Sequence, residues 1–118
     1  MRKRKVLVVD DENFIRELIY DFLEFENIEC DKAESQEVAL ELISKNDYDL
    51  ILLDRNLKDF KSENMIEKIK KDIPIILLTG EDGACEDYFR ELGISEIISK
   101  PFQYDDFMNK INPYLRLK

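Results

Sequence analysis

"KVLVVDDENF", residues Lys5 to Phe14, decides how the rest of the chain is organised. Four apolar residues, Val6–Val9, run without a polar break into Asp10 and Asp11, and Glu12 follows. A strand that is apolar on both faces belongs inside a parallel sheet, where helices cover both sides. Its end delivers two carboxylates side by side, which calls for a chemical reason.

Outward from that stretch the pattern repeats. Phe14, Ile15, Leu18, Ile19, Phe22 and Leu23 recur at helical spacing and predict one apolar helix face. "IECDKA" (Ile28–Ala33) predicts a short strand, and Ser35 the cap of a helix turning Val38, Ala39, Leu42 and Ile43 inward. "DLILLD" (Asp49–Asp54) is again apolar on both faces, and a helix around Ser62–Lys71 carries Met65, Ile66 and Ile69 on one side. "PIILLT" (Pro74–Thr79) begins on a proline, which a strand tolerates at its first residue. A weaker helix over Cys85–Leu92 is stopped by Gly93, and "SEIIS" makes a fifth strand. The last helix, Tyr104–Leu115, turns Phe107, Met108 and Ile111 inward, and Pro113 is expected to kink or end it.

Five strand–helix units in series predict an α/β fold with helices on both faces of a parallel sheet. Right-handed crossovers leave few topologies. The expectation is a doubly wound five-stranded parallel sheet in order 2-1-3-4-5, the flavodoxin-like (βα)5 three-layer sandwich. No Pro/Gly-rich linker or low-complexity tract divides the chain, so residues 1–118 are expected to form one domain.

Composition narrows the function classes. With 44% hydrophobic and 38% charged residues, the chain has the balance of a soluble globular domain. Its longest apolar runs are four residues, against the ~20 that a membrane span requires. The basic start "MRKRK" is followed by too short an apolar stretch for a signal peptide, so a cytoplasmic location is the expectation. A formal net charge of −9 repels phosphate backbones and argues against direct nucleic-acid binding. The chain has no histidine, and its two cysteines, Cys30 and Cys85, form no CxxC. Thiolate metal sites and histidine-based catalysis therefore have little to work with.

In doubly wound sheets ligands bind beyond the carboxyl ends of the strands, where the winding reverses. Strand 1 ends in Asp10 and Asp11, strand 3 in Asp54, strand 4 in Thr79, and strand 5 leads to Lys100. One such aspartate is usually a turn residue or a helix cap; the whole set on one rim points to a site. Carboxylates crowded together repel one another and raise each other's pKa unless a cation neutralises them. Mg²⁺ suits best, since it takes one or two carboxylates, keeps waters and completes its shell with a phosphate. Asp54, facing that cradle, has the chemistry of a nucleophile toward phosphorus. Lys100 supplies a mobile point charge for phosphoryl oxygens. Thr79 supplies a hydroxyl donor, and Gly80 leaves its N–H unobstructed.

These residues resemble the receiver domain of two-component response regulators over essentially the whole chain. The resemblance rests on "VLVVDDE" (Val6–Glu12), "DLILLDRNL" (Asp49–Leu57), "PIILLTG" (Pro74–Gly80) and "LGISEIISKPF" (Leu92–Phe102), in that order. It implies that Asp54 accepts a phosphoryl group from a sensor histidine kinase or phosphotransfer protein, a signalling role rather than that of an enzyme. It implies Asp11, Asp54 and the Asn56 backbone carbonyl as direct Mg²⁺ ligands, Asp10 acting through a water, and Lys100 and Thr79 holding the phosphoryl oxygens. It further implies a cis Lys100–Pro101 bond, a switch in the helix 4–strand 5–helix 5 face, and a phosphorylation-dependent homodimer as one form of output. Asn56 and Glu81 stand where the family tunes water access to the phosphoryl group.

The chain departs from the family in three places. Ile97 replaces the aromatic residue usual three positions before the lysine. Lys58 stands where a proline is usual, and "KDFKSEN" lacks the usual glycine. Only 25 positions separate Asp54 from Thr79, which predicts a trimmed loop and third helix. Two competing readings are a docking module that works without phosphorylation and a Mg²⁺-dependent phosphatase of the haloacid-dehalogenase type. Against the second, strand 1 ends in "DDE" rather than D-x-D, and the length leaves no room for a cap domain. A flavodoxin-like cofactor carrier would need Ser, Thr or Gly where this chain has acids.

Overall fold

A computed structural model describes residues 3–57, 60–80 and 86–115. Five strands, β1 (Lys5–Val9), β2 (Glu29–Ala33), β3 (Leu50–Asp54), β4 (Ile75–Thr79) and β5 (Glu96–Ser99), alternate with five helices. These are α1 (Asn13–Phe25), α2 (Gln36–Lys45), α3 (Ser62–Lys68), α4 (Glu86–Glu91) and α5 (Tyr104–Leu115). The strands pair in parallel in the expected order 2-1-3-4-5. A separate antiparallel ribbon, Asn56–Leu57 with Phe60–Lys61, follows β3.

Side-chain alternation along the strands divides the core into two layers. Val6, Val8, Leu50, Leu52, Ile76 and Leu78 pack with Ile15, Ile19 and Leu23 of α1 and Phe107, Ile111 and Leu115 of α5. Leu7, Val9, Ile51, Leu53, Ile75 and Leu77 face the other way, against Ala39 and Ile43 of α2, Met65 of α3 and Phe89 of α4. Because the strand period is two residues, a one-residue slip would exchange these layers wholesale, so burial on both faces holds the register. That register is what levels the strand ends at the rim.

Local signals explain most element boundaries. Ser35 caps α2 as expected, its hydroxyl oxygen accepting from the Val38 N–H at 3.3 Å. Gly93, at φ +105°, closes α4 with a backbone conformation that residues with a Cβ rarely adopt. The edge strand β2 is half-exposed and charged, "ECDKA", a composition that discourages pairing with another chain.

Several expectations need correction. Phe14 is 73% exposed and lies off the inward face, since Ile15, Ile19 and Leu23 alone supply the buried positions of α1. Val38 is likewise exposed. β2 begins at Glu29, and α3 ends at Lys68 instead of running to Lys71. The Lys71 ammonium instead donates to the Ile43 and Asn46 carbonyls at 2.7 and 3.0 Å, at the C-terminal end of α2. Pro113 does not end α5, which runs on to Leu115. It forgoes one hydrogen bond in the last turn, and the buried Ile111 and Leu115 on either side hold that turn in place. Lys58, Glu81 and Cys85 lie outside the described residues.

Cys30, half-buried on β2, is a structural thiol. Burial first, then the neighbouring Asp31 carboxylate, pushes its pKa up to about 12. Since only the thiolate is nucleophilic, a Cys85→Ser variant should alkylate with iodoacetamide at pH 8 at least about tenfold more slowly when folded than in urea. Equal rates would show that the thiol is not shielded.

Candidate functional site

The site is assembled by strand register. Val9 lies opposite Leu53 and Asp54 opposite Leu78, so Asp10 comes level with Asp54 at one rim. Thr79 lies opposite Ser99, and the Lys100 N–H donates to the Thr79 carbonyl at 2.7 Å. The alternation that turns Val8, Leu52 and Ile98 to one layer turns Asp10, Asp54 and Lys100 to the same side.

Lys100 is the bond between these strands. Its ammonium reaches from the end of β5 past β4, donating to Asp10 Oδ2 at 2.8 Å and Asp54 Oδ1 at 3.2 Å. Glu12 Oε1 lies 3.5 Å from the same ammonium. Asp10 has no exposed surface, and Asp54 is 6% exposed. Carboxylate oxygens of Asp10, Asp11 and Asp54 all lie within 4.8 Å of one another. Asp10, Asp54 and Glu12 thus face one ammonium, with Asp11 half-buried at the mouth.

Burial is the main charge cost here. It raises the Asp10 carboxyl above the usual range, even though Lys100 and the Glu12 N–H (2.9 Å to Asp10 Oδ1) favour the ionised form. Burial first, then the Asp10 charge, raises Asp54 to about 6, against the opposing pull of Lys100. For Lys100 burial works toward a lower value, but its bonds and attraction to Asp10 and Asp54 together prevail and hold it above its usual range. The arrangement carries surplus negative charge lined by oxygen donors, which fits a hard divalent cation such as Mg²⁺ and no soft one.

Other residues named from the sequence take defined places. Thr79 is buried on β4, one position beyond the residue level with Asp54. Gly80 is exposed, with open space where a Cβ would stand. The Asn56 N–H approaches Asp54 Oδ1 at 3.4 Å, which puts that residue at the mouth. Lys100–Pro101 is cis. Sequence reading missed Arg16, one turn into α1, whose guanidinium donates to the Asp10 backbone carbonyl at 2.6 Å. It also missed Arg55, which stacks on the Phe89 ring of α4 at 5.3 Å. A base one turn after an acidic pair was the available signal for Arg16, but its acceptor is a main-chain atom, which no side-chain pattern reveals.

The sequence profile of the response regulator receiver domain matches residues 6–112. The chain belongs to the response regulator receiver family. Among relatives of this receiver domain, the transcriptional regulatory protein SrrA of Staphylococcus aureus is 35% identical over 116 residues, covering 95% of this chain and 48% of SrrA. The chain thus spans about half the length of the curated relatives it matches. Chemotaxis protein CheY4 of Vibrio cholerae shares the fold, with a TM-score of 0.90 at 24% identity over 97% of this chain and 100% of that one. A two-component response regulator from Clostridium difficile is similar at 28% identity and TM-score 0.88, covering 97% of each chain. Among the described residues of this receiver domain, no helix is long and apolar enough to cross a membrane.

Proposed function

We propose that Asp54 is the phosphoacceptor of this receiver domain, loaded by a sensor histidine kinase or phosphotransfer protein in the cytoplasm, with residues 1–118 as the receiving unit. The observation that carries this reading is Lys100 bridging Asp10 and Asp54 at one rim, with Asp11 completing an acidic cluster. An ionised Asp54 oxygen attacks the phosphorus of a phosphohistidine. The new O–P bond forms as the P–N bond breaks, and the electron pair returns to the imidazole, which takes up a proton. Such transfers depend on positioning and charge neutralisation more than on a general base.

Asp11, Asp54 and the Asn56 carbonyl are the proposed direct holders of Mg²⁺, with Asp10 behind a water. When bound, the ion offsets the carboxylate charge and the charge on the phosphoryl oxygens. Lys100 then leaves its carboxylate partners for a phosphoryl oxygen, and the Thr79 hydroxyl and Gly80 N–H take the others. The arriving group adds about −2 charge, which pulls on Thr79 and biases the face made by α4, β5 and α5. A shift from ~1:99 to ~99:1 in that face requires ~5.5 kcal/mol of differential contact. A phosphorylation-dependent homodimer through the same face is one output of such a switch.

Incubating the chain with Mg²⁺ and acetyl phosphate should add the mass of one phosphoryl group, and Asp54→Asn or added EDTA should abolish the gain. A docking module independent of phosphorylation, which Ile97 in place of the family's aromatic would suit, gains no mass that depends on Asp54. A haloacid-dehalogenase-type phosphatase would instead turn over phosphate monoesters steadily. Asn56 and Glu81 are proposed to govern how long the acyl phosphate lasts. The pair Asn56→Ala, Glu81→Ala should change its decay rate severalfold, and an unchanged half-life would reject that role.

A further inference from the structure

Besides the Lys100 ammonium on Oδ2, three further hydrogen bonds hold Asp10. Its N–H donates to the Ala33 carbonyl at 3.1 Å, its Oδ1 accepts the Glu12 N–H at 2.9 Å, and its carbonyl accepts Arg16 at 2.6 Å. The other terminal nitrogen of Arg16 donates to Asn13 Oδ1 at 3.2 Å, and the Arg16 N–H closes on the Glu12 carbonyl at 3.2 Å. One planar guanidinium therefore ties the end of β1 to the first turn of α1. Asp11 lies inside the loop so closed. That first turn has no side-chain cap of its own, since Glu12 makes none.

We propose that Arg16 is a positioning residue for the cation site: clamped between the Asp10 carbonyl and Asn13, it fixes the direction in which the β1–α1 turn presents Asp10 and Asp11. This rests on the reading of those carboxylates as Mg²⁺ holders. The two nitrogens of the fork meet two acceptors in fixed geometry, which a flexible ammonium does not reproduce. Groups that orient metal-holding side chains typically change affinity 10–100-fold when removed.

Charge and positioning predict opposite signs. A cation beside an acidic site repels a second cation, so if Arg16 acted only through its charge, Arg16→Gln would tighten Mg²⁺ binding. As a positioning residue its loss weakens binding. The test titrates Mg²⁺ into the metal-free chain by calorimetry and amide NMR shifts, for wild type, Arg16→Gln and Arg16→Lys, with urea midpoints in EDTA to follow the fold. The expected result is about tenfold or greater weakening for Arg16→Gln and an intermediate loss for Arg16→Lys, which keeps the charge but not the fork. Equal or tighter binding by Arg16→Gln, or full wild-type affinity in Arg16→Lys, would overturn the inference while leaving the metal reading intact. Failure of the wild type to bind Mg²⁺ would overturn both. Should glutamine unfold the domain, Arg16→Lys alone decides by the same criterion.

Discussion

Lys100→Met lowers the stability of the metal-free domain by about 2–3 kcal/mol at pH 7.5, measured as a fall in the urea midpoint in EDTA. Methionine keeps the length and apolar stem of lysine but takes away the ammonium that touches Asp10 and Asp54. Lys100 is itself mostly buried, its side chain 14% exposed, and its two partners are buried more completely. Breaking such a pair by removing one partner costs about 3–5 kcal/mol when the other charge is left uncompensated. Here protonation limits the loss. The pKa of Asp54 is already raised to about 6, and taking up a proton at pH 7.5, about 1.5 units above that, costs only about 2 kcal/mol. The loss should therefore shrink as the pH is lowered toward 5, where the Asp54 carboxylate takes up a proton. Saturating Mg²⁺ should recover part of it at pH 7.5. A midpoint equal to wild type in EDTA at pH 7.5 would show that Lys100 does not balance this charge.

Asp54→Asn has the opposite sign at the same site: it stabilises the metal-free domain at pH 7.5, by about 1–2 kcal/mol. The Asp54 carboxyl has a folded pKa raised to about 6 from 3.8, mainly by burial. Between those values the folded state binds a proton that the unfolded state has released, so stability falls as pH rises. The favourable contribution is full below 3.8 and gone above about 6. At pH 7.5 the ionised carboxylate thus weighs against folding by about 3 kcal/mol at most, at 1.4 kcal/mol per pKa unit. Asparagine keeps the shape and removes the charge, but it also gives up the charge-assisted bond from Lys100, which trims the gain. The difference from wild type should vanish near pH 4. Mg²⁺ should stabilise wild type far more than the variant. A variant no more stable than wild type at pH 7.5 in EDTA would contradict a charge held at the expense of stability.

The two substitutions together describe a site whose charges are arranged for chemistry rather than for folding. Natural proteins tolerate such local costs where function needs them. Here the cost has an identifiable source. Asp10, wholly buried, and Asp54 on the adjacent strand share one ammonium, while Asp11 waits at the mouth.

The alternation of apolar four-residue runs with helical patterns was legible because it is local: unbroken apolar residues in Val6–Val9 and Leu50–Leu53, helical spacing between them. The acids and Lys100 were legible because each sits at the end of such a run, and a doubly wound sheet brings run ends to one rim. The exposure of Phe14 was not. An i, i+1, i+4, i+5 pattern is wider than the face a helix buries, and which edge stays outside depends on how α1 settles against β1 and α5. Pro113 within α5 was not legible either, because the buried residues on both sides of it outweigh the local penalty.

By itself, then, the chain's order of residues determined the fold class, the strand order and the identities of the acids, the hydroxyl and the lysine at the rim. These follow from periodicities and end positions that span a few residues each. Tertiary structure alone decided that Lys100 bonds to Asp10 across 90 positions, that burial lifts Asp54 to about 6, and that Arg16 grips a main-chain oxygen. Distances between strands, removal of water and the direction of a carbonyl arise only when separate segments pack, so they leave no trace in local spacing.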